Sequence, residues 1–380
     1  MQEINEYLEQ KKALQSIILE YINDEESNFN ELVQMFDNLE TSKNINELKA
    51  LLHLLVKIID NHYHPPDFFK KIEQILLYFK DNLQQNFLNY ELFNIFKNSK
   101  RILLFLIKNN ILELDQSIAN IMMTPKYYNA KYPHYFFIEL KKFIQRRFIT
   151  KIEKENKILL ANDSRNRNAT DYFEENRKIG QNDNFLEQLI RNDSIDEFVA
   201  YVNKTNMSLR TSVKPSIFET NSFLLKNEVT LIDYSVFFGS YNILKYLQMN
   251  NVELTKSLWF YAIHGNNPDI IHFLEEFIPS KDNRFYVKCL NESIKCHHND
   301  IANYIKNNLL TSENSASIDS YLAGIKYYNY ECFPEKLDGF VIFTELCKYD
   351  YTYIVNFLLD NNLIDINLDK VTKKPIFLLI

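Results

Sequence analysis

Leu, Ile, Phe and Tyr recur along this chain at three- and four-residue spacings, while the β-branched alternation of strands is rare, so the pattern predicts helices throughout. One larger motif repeats. An apolar segment of helix length is followed by a tight polar turn, and a second helix then opens on paired aliphatics. With Gly239 as the turn, the pair Ile243/Leu244 follows; Asn266 leads to Ile270/Ile271, His297 to Ile301, and Asp350 to Ile354/Val355. A weaker copy runs from Ser194 to Phe198/Val199. Recurrence of this kind predicts stacked helical hairpins. The expected fold is all-α: a solenoid of antiparallel helix pairs preceded by a helical N-terminal region.

Residues 1–158 read as helices without a consensus repeat. An apolar helix over 48–59 ends before His64-Pro65-Pro66, where proline disfavours helix in the residue before it. Segments 92–96 and 102–107 form a further hairpin, so this region is either a degenerate continuation of the repeats or a capping subdomain. Residues 159–183 carry few aliphatics and many turn formers and are expected to be a linker. Ankyrin-like spacing is then expected over 184–310, an insert loop over 311–338, and a further repeat with an incomplete successor over 339–380. A second insert falls at about 208–229. Gly239, Asn266 and Asp350 suit the left-handed geometry of a hairpin turn, and His297 suits it less. Pro268 fits a first helical turn and Asp269 the positive end of the helix dipole.

Composition narrows the function. The chain has 380 residues, 46% of them hydrophobic, which is ample for a core. Only five glycines occur, so a phosphate-cradling loop has nothing to be built from. A net charge of -7 disfavours nucleic acid as a partner. The first twelve residues are polar and charged, and the strongest apolar run, 102–107, is too short to span a bilayer. An intracellular, cytoplasmic protein without a transmembrane segment is expected. The four cysteines lie in the last quarter at helical positions, which suits reduced thiols. No cofactor, metal or small-molecule substrate is expected.

The repeat residues resemble the ankyrin repeat. Thr230-Leu231-Ile232-Asp233 stands at its opening tetrapeptide, Ser235-Val236 at the paired small residues, Gly239 at the glycine and Tyr246-Leu247 near the Leu-Leu pair. Residues 354–359 followed by Asp360-Asn361-Asn362 look like the usual ending, with Ile366-Asn367 like the finger and 372–380 like the opening of another repeat. No Thr-Pro-Leu-His is intact, and Ala262 is the only alanine at the small positions. More narrowly, 257–272 and 293–302 are similar to the divergent ankyrin-like domain of unknown function found in large protist families. The resemblance implies a binding fold with no enzymatic activity attached.

Candidate chemistry is sparse. Cys289, Cys296, His297 and His298 are metal-ligand types, but the cysteines are seven positions apart with no second close pair, so structural roles are expected. His62-Tyr63-His64 reads as an exposed loop. Cys347 with His264 or His272 is the one arrangement for a cryptic Cys/His hydrolase, yet Cys347 falls at a small buried position where a thiol stays inert. Residues 141–157 interleave basic and aromatic side chains and could contact anionic membrane or RNA, although Glu139, Glu153 and Glu155 interrupt the charge. The leading expectation is a non-catalytic module or scaffold that binds an unidentified protein partner through the concave face and the inserted loops. By the ankyrin pattern that face carries Tyr234, Phe237, Phe238, Tyr261, His264, Lys295, Lys348 and Tyr349.

Overall fold

A computed structural model describes residues 2–160, 169–226, 228–310, 318–334, 336–337 and 339–364. The expected incomplete final repeat and its finger lie outside the described residues. Those described are helical, with one isolated antiparallel bridge between Ser212 and Thr230. They form two compact units: 1–75 with 280–380, and 76–279. The cuts therefore fall at 75/76 and 279/280, and the first unit is discontinuous in sequence.

In the 76–279 unit three helix pairs follow one another. Phe185–Arg191 pairs with Ile195–Thr205, Leu231–Phe237 with Tyr241–Met249, and Leu258–Gly265 with Pro268–Phe277. The first helices pack side by side, Leu231–Phe237 lying between the other two. In the other unit the pairs are Asn283–Lys295 with Asn299–Tyr304, and Phe340–Lys348 with Thr352–Asp360. Between them sits Ile318–Tyr327, followed by only a short 3-10 turn, Tyr330–Cys332, where a second helix would be. The 311–338 insert thus contains a helix that completes the stack. The N-terminal helix Gln2–Asn23 is tied to it by buried Gln15, whose Nε2 donates to Asn329 Oδ1 at 2.9 Å and whose Oε1 accepts from the Tyr330 N–H at 2.7 Å.

The turns have a common cause. Asp193, Gly239, Asn266, His297, Tyr328 and Asp350 all take left-handed backbone, with φ between 47 and 69°. Except at Asn266, the following N–H bonds the carbonyl five residues earlier at 2.8–3.1 Å, and the left-handed residue's own N–H bonds the one three earlier, which is the Schellman ending of a helix. The turn near Ser194 is thus centred one residue earlier, on Asp193. Starts are fixed as locally. Thr230 and Asp233 form a capping box, Asn267 accepts from the Ile270 N–H, and Pro268 occupies the first helical position. Asp193 also reaches the next pair, accepting from the N–H groups of Asn242 and Ile243 at 3.1 and 3.0 Å.

The expected linker is ordered where it is described. Helix Ala169–Ile179 carries Arg177, which is 0% exposed and donates to the Tyr135 carbonyl at 3.0 Å, to both carboxylate oxygens of Glu139, and to Glu174. An arginine can be buried this way because its planar fork meets several acceptors at once.

Candidate functional site

The structure separates the eight predicted face residues into two groups. In the 76–279 unit Tyr234 is 1% exposed and His264 2%, with Phe237 and Tyr261 also buried. Phe223 of the 208–229 insert covers three of them: its ring stacks on His264 at 3.8 Å, meets Tyr261 edge-on at 5.0 Å and lies 6.2 Å from Phe237. Tyr234 Oη accepts from Arg191 at 2.7 Å. Half-buried Phe238 packs on Tyr234 and Phe237 and lies under the Arg191 guanidinium. The expected aromatic stripe is therefore interior at Tyr234, Phe237, Tyr261 and His264, and over the last three of these the insert folds down onto it.

The other three residues converge. Lys295, Lys348 and Tyr349 line one groove of about 360 Å³, together with Glu292, Lys326, Tyr327 and Glu345. Three successive first helices place a lysine at the same step, two residues before the left-handed position: Lys295 before His297, Lys326 before Tyr328, Lys348 before Asp350. Two of these lysines have an acid one helical turn earlier, Glu292 at 2.6 Å from Lys295 and Glu345 at 2.9 Å from Lys348. Burial opposes the charge on Lys295, but Glu292 outweighs it and holds the ammonium above the usual lysine range. The hydrogen bond that Lys348 donates to Glu345 raises Lys348 likewise. In the middle helix that place is Ala323. Exposed Lys326 has no carboxylate partner among the described residues and lies 5.1 Å from the Tyr327 ring centroid. The groove thus carries three lysines, the outer two paired with glutamates of their own helices and Lys326 without an ion pair among the described residues, and Asp319, Tyr327 and Tyr349 share its lining.

Lys326 and Tyr327 fall in the segment expected to be a loop. A signal was present: Lys326-Tyr327 precedes the turn at Tyr328 as Lys348-Tyr349 precedes the turn at Asp350. It was masked because a tyrosine at positive φ carries no turn signature.

In this unit Cys289, Cys296, His62, His297 and His298 are buried, while Cys332 and Cys347 are half-buried. His62 is 3% exposed and not part of an open loop; its Nδ1–H donates to the Cys296 carbonyl at 2.8 Å, and its ring lies 4.6 Å from that of His298. The Tyr63 N–H donates to His298 Nε2 at 3.2 Å. Burial pushes the His62 pKa down to about 4 and that of His297 to about 3. Burial raises all four thiols, Cys332 to about 12. All four cysteines are free. Cys347, expected at a small buried position, is half-buried, and burial raises its thiol, which disfavours the thiolate that a nucleophile needs.

No family model, curated protein or solved structure matches the chain.

Proposed function

We propose that this protein is a non-catalytic interaction module, an ankyrin-like array of helix pairs that binds a protein partner at the ends of its first helices and works inside the cell. The left-handed turns at the same step after successive first helices, three in each unit, support the repeat reading, and thiols raised by burial support a reading without a cysteine nucleophile. The observation that carries the reading is the groove of Lys295, Lys326 and Lys348 with Tyr327 and Tyr349. Tyrosine is among the residues that interface hot spots favour, and the lysines supply a charge that steers an acidic partner. The open ammonium of Lys326 suits a partner segment that presents a carboxylate between the two tyrosines.

The test is crosslinking of the full chain to its partner, comparing wild type with Lys326→Glu and Tyr349→Ala. Both variants should keep the wild-type melting temperature and lose the crosslinked species, with affinity reduced at least about ten-fold, as expected of a hot spot. Undiminished capture by both folded variants would remove this groove as the binding site. Alkylation of Cys332 and Cys347 should leave capture intact, whereas loss of a measurable hydrolytic activity on alkylation would replace the reading with an enzymatic one.

A further inference from the structure

The basic and aromatic stretch near residue 145 offers a second surface, in the 76–279 unit. Helix Phe137–Leu140 ends in a turn over 141–145, and helix Arg146–Leu160 follows. Around this turn Phe143, Ile144 and Phe148 are half-buried and Ile138 is 47% exposed. With Met123 and Pro125, the first three line an opening of about 440 Å³.

The charges around the opening are unevenly neutralised. Glu139 is engaged by Arg177 at 2.8 Å, Glu153 lies 3.6 Å from Lys141, and Glu155 accepts from Tyr128 at 2.7 Å and lies 3.9 Å from Lys151. Glu139 is thus taken up by Arg177 from outside the basic run, while Glu153 and Glu155 neutralise two of its lysines, Lys141 and Lys151. Lys142, Arg146 and Arg147 are exposed and have no carboxylate partner among the described residues. Lys142 lies 4.9 Å from the Phe143 ring centroid and Arg147 lies 4.7 Å from that of Phe148. On a chain of net charge -7, this is a local reversal of sign beside apolar side chains.

We propose that this face docks on an anionic membrane surface. Lys142, Arg146 and Arg147 meet headgroup phosphates, while Ile138, Phe143, Ile144 and Phe148 enter the interfacial layer. Cations beside apolar residues at one surface are the combination that binds such an interface. Single-stranded RNA would need open ring faces for base stacking, and the rings of Phe143 and Phe148 already carry their own cations. Contact is peripheral, since no helix among the described residues is long and apolar enough to cross a membrane.

Sedimentation of the full chain with vesicles tests this, using phosphatidylcholine alone and phosphatidylcholine mixed with phosphatidylserine. Binding is expected only to the mixed vesicles and should weaken as salt rises. Each cation near such a surface strengthens association roughly five-fold, so the triple variant Lys142→Gln, Arg146→Gln, Arg147→Gln should bind about a hundred-fold more weakly. In Ile144→Trp the emission should shift to the blue on mixed vesicles, over the steady background of Trp259, the chain's single, buried tryptophan. Equal binding to both vesicle types, or none to either, overturns the proposal. So does retention of a single-stranded RNA oligonucleotide, sensitive to the same three substitutions, when vesicles leave the chain free. If the triple variant loses its helical circular dichroism, the phosphatidylserine and salt dependence of the wild type decide the matter.

Discussion

The Nε2–H of His297 donates to the carbonyl oxygen of Tyr327 at 2.9 Å, joining one left-handed turn to the residue just before the next. Tyr328 repeats the step, its hydroxyl donating to the Tyr349 carbonyl, and Asp350 then pairs with Lys49. The turn side chains therefore tie successive helix pairs together, which explains a histidine where glycine or asparagine would suit the backbone better. In His297→Asn the left-handed backbone remains accessible, but the side chain is too short to reach Tyr327. A stability loss of about 1–3 kcal/mol is expected from urea unfolding at neutral pH. An unchanged midpoint would mean that the bond contributes nothing.

The same variant has a pH signature. Burial holds His297 at about 3 against an ordinary value of 6.5, so the unfolded chain takes up its proton first on acidification. The stability that follows from keeping His297 neutral is full above pH 6.5 and is lost as pH falls toward 3. The deficit of His297→Asn should therefore shrink by about 1.4 kcal/mol per pH unit below that point. The difference between the two proteins is the readout, because burial raises Glu187 and Glu219 in the other unit and gives the opposite slope. A constant deficit from pH 7 to 5 would contradict a buried neutral imidazole.

Gly265 sets how closely two first helices approach. A Cβ there would stand 2.3 Å from the Phe237 carbonyl oxygen, which is backbone and cannot swing aside. Gly265→Ala should cost about 1–3 kcal/mol, the usual penalty of overpacking. At Gly339 the nearest atom would be 3.8 Å away, so Gly339→Ala should be neutral or slightly stabilising. Similar melting temperatures for the two variants would refute the close approach.

Arg177→Ala removes the cation from a buried cluster and strands Glu139, and a loss of about 3–5 kcal/mol is expected. Exposed Lys178, its neighbour, should tolerate alanine with little change. Thermal unfolding of the two variants gives the comparison, and equal melting points would show that the Arg177 cluster is dispensable.

The helices and most turns were legible because they depend on residues within one or two helical turns of each other, as Gly239 with Ile243 and Asn266 with Ile270 show. What escaped depends on long-range contact. His62 reads as loop beside two prolines, yet its partner carbonyl belongs to Cys296. Phe237 and Tyr261 have the spacing of a surface stripe, yet Phe223 arrives from an aperiodic insert to cover them. The motif numbers Lys295 and Lys348 directly; Lys326 precedes the turn at Tyr328, whose side chain advertises no such backbone. Arg177 lies in a polar stretch whose order depends on Tyr135 and Glu139.

Because the Gln15 side chain bonds Asn329 and Tyr330, more than 300 residues later, the discontinuous unit cannot close in the order in which the ribosome delivers it. Residues 76–279 can be complete first. At about 5–20 residues per second their synthesis occupies roughly 10–40 s. Throughout that interval Tyr7 and Gln15 of Gln2–Asn23 and His53 of Ile45–Asn61 wait for Tyr353, Asn329 and Tyr328, which do not yet exist. The yield of native protein then depends on whatever shields these two helices during translation, and slowing elongation after residue 75 prolongs their exposure.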